Sequence, residues 1–312
     1  MSTKEFSIGV DVGGSHISCA VYDLTKNELV QGCITSSSID NQGTKEEILS
    51  SFIKLLEPCI KEITDEKLAG IGFAMPGPFD YPNGIALFSG ENAKFQNLNK
   101  VNLINELRSE LNCNELPIRF INDATAFAIG EYFSGKLKGV QRTLSVTLGT
   151  GLGSAFLFNG IPVITEDSVP ENGCLWHLPF ESGIADDYFS TRGLVRRFEA
   201  LSGIKANGVK EIAELTSENQ LARQLFVDFG EKLAEFLAPW LKSFEVEALV
   251  FGGNISKALD LFITPMKSRL EREGIETGIE SSDLQETAAF IGSACLMNTD
   301  FWNMVQPQLK YM

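Results

Sequence analysis

Apolar residues alternate with small or polar ones over residues 6–12 and again over 17–24, and both stretches are rich in β-branched and aromatic side chains. They predict two strands joined by Gly13-Gly14-Ser15-His16. A dinucleotide-binding fold would place a helix after such a turn, but Ile17, Cys19 and Val21 keep the two-residue period of a strand, so the pair reads as a hairpin. Residues 29–36 predict a third strand. The period then changes. Ile48, Phe52, Leu55, Leu56 and Ile60 fall at helical spacing behind Thr44-x-x-Glu47, a capping box, with a kink expected at Pro58. A buried strand over 68–74 runs into Met75-Pro76-Gly77-Pro78, and 101–111 predicts a helix.

In residues 120–131 a short apolar run ends at Asn122-Asp123 and a helical pattern begins at once, weakened a little by Gly130 and followed by Gly135 as its stop. The pattern then restarts: 143–149 and 153–159 are two strands around Gly149-Thr150-Gly151-Leu152-Gly153. With Val10 set opposite Val146, the glycine turns begin at the same offset, the following strands have equal length, and Asp23 falls opposite Asn159. This suggests a duplicated α/β domain. A loop-rich segment over 160–185 carries His177. Helices are predicted over 186–201 and over 217–244, the second opened by a capping box at Ser217-x-x-Gln220. A strand ending in Gly252-Gly253-Asn254 and helices over about 256–273 and 285–297 complete the pattern; 300–312 carries no assignment. The expected division is a small α/β domain of residues 1–121 plus 288–312 and a large one of 122–287.

The 312 residues are 44% hydrophobic and 21% charged, enough for two domains with real cores. Lys+Arg 26 against Asp+Glu 41 leaves a net charge of −15, which argues against nucleic acid or an anionic membrane as partner. An anionic ligand must therefore be held by backbone amides and a metal. No basic stretch precedes an apolar one at the N-terminus, and no run approaches a membrane span. The six cysteines are scattered without C-x-x-C spacing, so a cytoplasmic chain with reduced thiols is expected.

Three places could carry chemistry. A carboxylate where a strand becomes a helix, Asp123, faces unpaired amides and the positive end of the helix dipole, which suits a general base; the same position suits a plain N-cap. Gly13-Gly14 is read as a positive-φ turn whose amides could cradle phosphate, with Asp11 placed to reach a hydrated Mg²⁺. Gly252-Gly253-Asn254 leaves room for a flat group such as adenine, or serves a close strand-to-helix turn.

Together these residues resemble the ROK family (repressors, uncharacterised reading frames and sugar kinases) of the actin-like ATPase superfamily. The likeness runs over essentially the whole chain. It rests on Asp11-x-Gly13-Gly14-Ser15, Pro76-Gly77, Asn122-Asp123 with Glu131, Gly149-Thr150-Gly151-x-Gly153, His177, Gly252-Gly253-Asn254 and Gly292. The resemblance implies a two-domain actin-like ATPase (ribonuclease H-like) fold with a ligand cleft between the domains. The implied activity is ATP-dependent phosphorylation of a hexose or N-acetylhexosamine hydroxyl, with Mg²⁺. Asp123 would be the base; Gly77, Asn122, Asp123, His177 and Asp186 would contact sugar. Gly13, Gly14, Ser15, Gly149, Thr150, Gly151, Gly253 and Asn254 would contact ATP, and Asp11 would meet Mg²⁺ through water. The family's usual arrangement is a homodimer.

The departures are local. Where the family has Gly-Glu-x-Gly-His, this chain reads Gly173-Cys174-Leu175-Trp176-His177, and the family's C-x-C-G-x-x-G-C zinc motif has no cysteine here, so no structural zinc is expected. The family's second sugar-binding Glu becomes Asp186. Glu171 either replaces the lost carboxylate or is an exposed loop residue, and Trp176 either faces sugar or packs in the core. The usual Thr-Lys of the first phosphate loop is Ser15-His16, which weakens the local positive charge. The rival reading is a non-catalytic sugar sensor or regulator of the same family; its repressor members carry a helix-turn-helix ahead of the first strand, and none is expected here. An ATPase coupled to a protein partner is a more distant alternative, since no stretch resembles a substrate-protein domain.

Overall fold

The computed structural model describes residues 4–63, 67–90 and 94–312. The chain divides into two compact units, Met1–Lys138 with Glu286–Met312, and Gly139–Gln285. The first begins with β1 (Phe6–Val12), β2 (His16–Asp23), β3 (Glu28–Ser38), α1 (Lys45–Glu62), β4 (Leu68–Met75), α2 (Leu103–Glu110), β5 (Ile118–Asn122) and α3 (Asp123–Ser134). The second holds β6 (Arg142–Leu148), β7 (Leu152–Phe158), β8 (Ile161–Pro162), α4 (Ala185–Phe189), α5 (Thr191–Ser202), α6 (Val209–Leu215), α7 (Gln220–Ser243), β9 (Ala248–Gly252), α8 (Leu259–Arg272) and β10 (Gly278–Ser281). The chain then returns to the first unit with α9 (Thr287–Cys295) and α10 (Thr299–Val305).

The two sheets have one topology. Their orders are β3-β2-β1-β4-β5 and β8-β7-β6-β9-β10. In each, an antiparallel three-strand meander continues into two parallel strands. The strands β1 and β6 start and end at the residues that the alignment of Val10 with Val146 pairs, so the duplication seen in the sequence holds to the residue.

What fixes the first unit is α9. Every residue from Ala288 to Cys295 is buried, as in a helix surrounded on all sides. A Cβ on Gly9 or Gly72 would collide with the carbonyl oxygen of Phe290 or Ser293, so the helix lies directly on β1 and β4. Gly130 and Gly292 bring α3 and α9 to backbone contact in the same way, through Ala288 and Ala126. That crossing ties α3 to the first unit, so the division falls after Lys138 rather than at residue 121. The second unit packs around aromatic rings instead: Phe229 meets Phe189 at 5.7 Å and Phe262 at 5.0 Å.

Several expectations are corrected. The helix expected over 186–201 breaks at extended Ser190, whose hydroxyl accepts the Gly193 amide at 3.3 Å and caps α5. The cap of α7 is Asn219, accepting the amides of Leu221 and Ala222 at 2.8 and 3.2 Å; Ser217 donates backward to the Glu214 carbonyl, so its capping box does not form. The Thr44/Glu47 capping box does form, and Pro58 lies inside α1. Gly13 and Gly14 both keep φ outside the left-handed region. The unassigned tail is α10 followed by a 3-10 turn, Gln306–Tyr311, capped by Asn298 and anchored by Phe301 edge-on to Phe133 at 5.0 Å. Among the described residues no helix is long and apolar enough to cross a membrane.

Candidate active site

Asn122, not Asp123, is the N-cap of α3: its side-chain oxygen accepts the Thr125 amide at 3.1 Å. Asp123 is thereby free of the capping duty that competed with a chemical role. Its Oδ1 accepts the Ala124 amide at 2.8 Å and the Asn122 side-chain amide at 3.0 Å. The Asn122 amide also reaches the Tyr81 hydroxyl at 3.4 Å, and that hydroxyl donates to the Met75 carbonyl at 3.0 Å. A Cβ on Gly77 would lie 3.6 Å from the same hydroxyl. Gly77, Tyr81, Asn122 and Asp123 thus stand together at the ends of β4 and β5. Burial holds Asp123 above the usual carboxylate range, against the Ala124 and Asn122 donors and the field of Lys94. Part of its surface stays open to solvent although protein surrounds it densely.

Asp11 pairs with Ala74 across β1 and β4 and with Ser18 across the hairpin. Burial pushes its carboxyl up to about 7, reinforced by the negative charges of Asp123 and Glu286 and opposed by the Val12 amide. A desolvated carboxylate among like charges suits a divalent cation. Among the described residues no group of three or more His, Cys, Asp or Glu side chains could hold a metal ion, and Mg²⁺ is commonly held by one or two carboxylates with water and phosphate oxygens completing its shell. In the glycine turn, Gly13 donates to the His16 carbonyl at 2.9 Å, and Ser15 and His16 side chains bond each other at 2.9 Å in an exposed position. The ammonium and terminal methylene of Lys94 lie against Gly14, each 2.8 Å from where a Cβ would sit.

In the second unit Gly149 donates to the Gly151 carbonyl at 3.0 Å, and its own carbonyl accepts the first amide of α5, from Thr191, at 2.8 Å. Thr150 is exposed and the space over Gly149 is open. Asp186 is bound to this turn: Oδ1 accepts the Leu152 amide at 2.7 Å, and Oδ2 pairs with Arg192 at 3.1 Å. Its amide donates to the Trp176 carbonyl at 3.0 Å, which fastens the His177 loop to α4. Within that loop His177 Nδ1 stands 3.6 Å from Cys174 Sγ, Trp176 is 49% exposed and so is not core, and Glu171 is exposed. Burial pushes the Cys174 thiol up to about 11, which keeps it a neutral, weak partner. Gly253, at φ 79°, packs against the Leu148 backbone where a Cβ has no room, so close packing alone accounts for this glycine. The Asn254 side chain accepts Lys257 Nζ at 2.9 Å.

Sequence reasoning missed Tyr81, Lys94 and Glu286. Glu286 had a signal, a carboxylate at the start of a predicted helix; Tyr81 and Lys94 are single polar groups in loops and had none. Glu131, by contrast, has a structural account: it is fully buried, and its carboxylate accepts the Lys136 amide at 2.9 Å beyond the end of α3.

The sequence profile of the ROK family matches residues 7–300. Relatives include a glucokinase of Thermotoga maritima, 25% identical over 93% of this chain and 96% of that one. An N-acetyl-D-glucosamine kinase of Pectobacterium carotovorum is 24% identical over 81% and 85%, and a xylose repressor of Caldicellulosiruptor bescii is 22% identical over 94% and 78%. In structure the chain is similar to a ROK hexokinase of Thermus thermophilus, with a TM-score of 0.77 at 19% identity, over 96% of this chain and 99% of that one. With matching topology in both sheets and a family profile spanning nearly its full length, the chain belongs to the ROK family and has the actin-like ATPase fold.

Proposed function

We propose that this protein transfers the γ-phosphoryl group of ATP to a hydroxyl of a hexose or N-acetylhexosamine. The observation that carries the reading is Asp123, a carboxylate at the first turn of α3 with its capping duty taken by Asn122 and both side-chain bonds ending on Oδ1. Oδ2 is then the oxygen that takes the proton from the attacking hydroxyl. A carboxylate held above its ordinary range is the stronger base, and removing the proton as the oxygen attacks phosphorus lowers the barrier. Asn122 and Tyr81 orient Asp123 and offer polar groups to neighbouring sugar hydroxyls. His177 is assigned to another hydroxyl, and Asp186 holds the loop that carries it.

The amides around Gly13, Gly14 and Ser15, and around Gly149, Thr150 and Gly151, are assigned to phosphates; Gly253 and Asn254 are assigned to the nucleoside. Asp11 would hold hydrated Mg²⁺, which supplies charge neutralisation on the phosphates. Support for a sugar substrate comes from the glucokinase and N-acetylglucosamine kinase relatives. The xylose repressor relative favours a second reading, a non-catalytic sugar-responsive regulator. An ADP-release assay with ATP, Mg²⁺ and a panel of hexoses and N-acetylhexosamines separates them: sugar-dependent ADP release is expected, and saturable sugar binding without turnover favours the regulator.

A further inference from the structure

Phosphoryl transfer concentrates negative charge on three equatorial oxygens, and a fixed cation there is a large part of catalysis. The first glycine turn of this chain has no lysine of its own, because Ser15-His16 stands where the resemblance implied Thr-Lys. A cation reaches the same place from elsewhere. Lys94 lays its side chain across Gly14, with Nζ 2.8 Å from the position of a Cβ. Substitution of any side chain at Gly14 would displace it.

The placement is braced on both sides. The Asn41 side-chain amide donates to the Gly14 carbonyl, and the Asn41 carbonyl accepts the Phe95 amide at 2.9 Å. Phe95 itself is fully buried, at φ 58°, with its ring 5.8 Å from that of Phe88. One residue, Asn41, therefore ties the glycine turn to the anchor of the lysine. Lys94 is exposed, and among the described residues no carboxylate forms an ion pair with it. Its field nevertheless reaches Asp123. A solvent-facing ammonium with no ion-pair partner among the described residues, held at a phosphate-type turn and near the base, is poised for an anion.

We propose that Lys94 is a catalytic residue, the cation that contacts the transferring γ-phosphoryl group between the turn at Gly14 and the base Asp123. This rests on the kinase reading. In the step, the sugar oxygen forms a bond to the γ-phosphorus and its proton passes to Asp123. The bond from that phosphorus to the bridging oxygen breaks, and its electron pair leaves with ADP. Lys94 remains protonated throughout and stabilises the charge on the equatorial oxygens.

The test uses Lys94→Met, which keeps the aliphatic stem over Gly14 and removes the charge, and Lys94→Arg, which restores charge. With the full-length protein, kcat for the best sugar is expected to fall about 10²–10³-fold in Lys94→Met, the range for losing one transition-state donor, with KM for sugar unchanged and partial recovery in Lys94→Arg. Calorimetry without sugar gives a second readout: affinity for ATP falls about tenfold in Lys94→Met, one charge-assisted contact, while affinity for ADP is unchanged. An active wild type with Lys94→Met turnover intact overturns the proposal and leaves the kinase reading standing. A wild type that binds ATP without phosphorylating any sugar defeats the kinase reading and the catalytic role together, and the ATP-against-ADP comparison then shows whether Lys94 still contacts a γ-phosphate. Equal loss of ATP and ADP affinity would put the ammonium on the α- or β-phosphate that both share and overturn the γ-phosphoryl contact.

Discussion

The two units carry the same five-stranded sheet, and their glycine turns occupy equivalent places, yet their surroundings differ in charge. Around Gly13-Gly14 stand Asp11 at the end of β1, Asp123 at the start of α3, Glu286 ahead of α9, and Lys94. Opposite Asp11 in the alignment the second unit has Thr147, and its turn is held by neutral amides, with Asp186 neutralised by Arg192. A duplicated scaffold thus keeps the amide-lined glycine turn, which we propose cradles phosphate, in both copies. Charged chemistry has collected in one. The reason is geometric: the first unit follows its parallel strand β5 with a helix whose first residue is the carboxylate Asp123, and Lys94 lies across its glycine turn.

The comparison breaks most sharply at Asp123. Asp123→Asn should lower kcat for sugar phosphorylation by about 10²–10⁴ with ATP affinity little changed, since a general base is lost while the phosphate turns remain. An unaltered kcat would move the chemistry out of the first unit. The next largest effect is on folding. Gly292→Ala places a methyl against the Ala126 backbone, and Gly230→Ala in α7 places one against Phe262 of α8. Each should cost about 1–3 kcal/mol by overpacking, read from denaturant midpoints. The Gly292 variant is expected to suffer more, because Gly130 shares its crossing and neither helix has a side chain that can yield.

In the second unit, Asp186→Ala should raise KM for ATP by roughly five- to 150-fold, the equivalent of about 1–3 kcal/mol for a charge-assisted bond to the Leu152 amide. His177→Ala should raise KM for sugar and leave ATP alone. If Asp186→Ala raised only the sugar KM, the carboxylate would be a sugar ligand rather than the tether of the turn.

The smallest effect lies at Asp23, opposite Asn159. Burial pushes the Asp23 carboxyl up, but the Thr25 hydroxyl and the Lys26 and Thr25 amides outweigh it and leave the group below its usual range. A carboxyl depressed in the folded state stabilises above its unfolded pKa and loses that contribution as pH falls through the folded value. Asp23→Asn should therefore lower Tm at pH 7, with the gap to wild type closing below pH 4. Asn159 makes its turn with a left-handed backbone at φ 49°, so Asn159→Asp should show no comparable pH dependence.

Much of this was legible because it is local. Strand period, the Thr44 capping box and the repeated glycine hairpins are written in consecutive residues, and so was the strand-to-helix junction at Asn122-Asp123. The tail carried no assignment, although Asn298 ahead of Phe301 and Val305 is a cap-and-spacing signal for α10 that could have found it. What could not be read is what depends on chain segments meeting. Ser217 and Asn219 are both acceptable caps, and the choice depends on where α7 must begin to bury Ala222 and Leu225. The reason for Gly130 lies in α9, far along the chain, and the reason for Asp186 in the Leu152 amide. Nothing in the residues around Lys94 announces that it lies across Gly14.

The central claim is that the charged turn of the first unit performs phosphoryl transfer to a sugar. Its most direct test incubates the protein with γ-labelled ATP, Mg²⁺ and glucose, mannose, N-acetylglucosamine or N-acetylmannosamine, and follows the label. The account predicts label in a sugar phosphate for the wild type, little label in phosphate released to water, and loss of sugar labelling in Asp123→Asn. Saturable sugar binding with no labelled sugar, or equal labelling by wild type and Asp123→Asn, would contradict it.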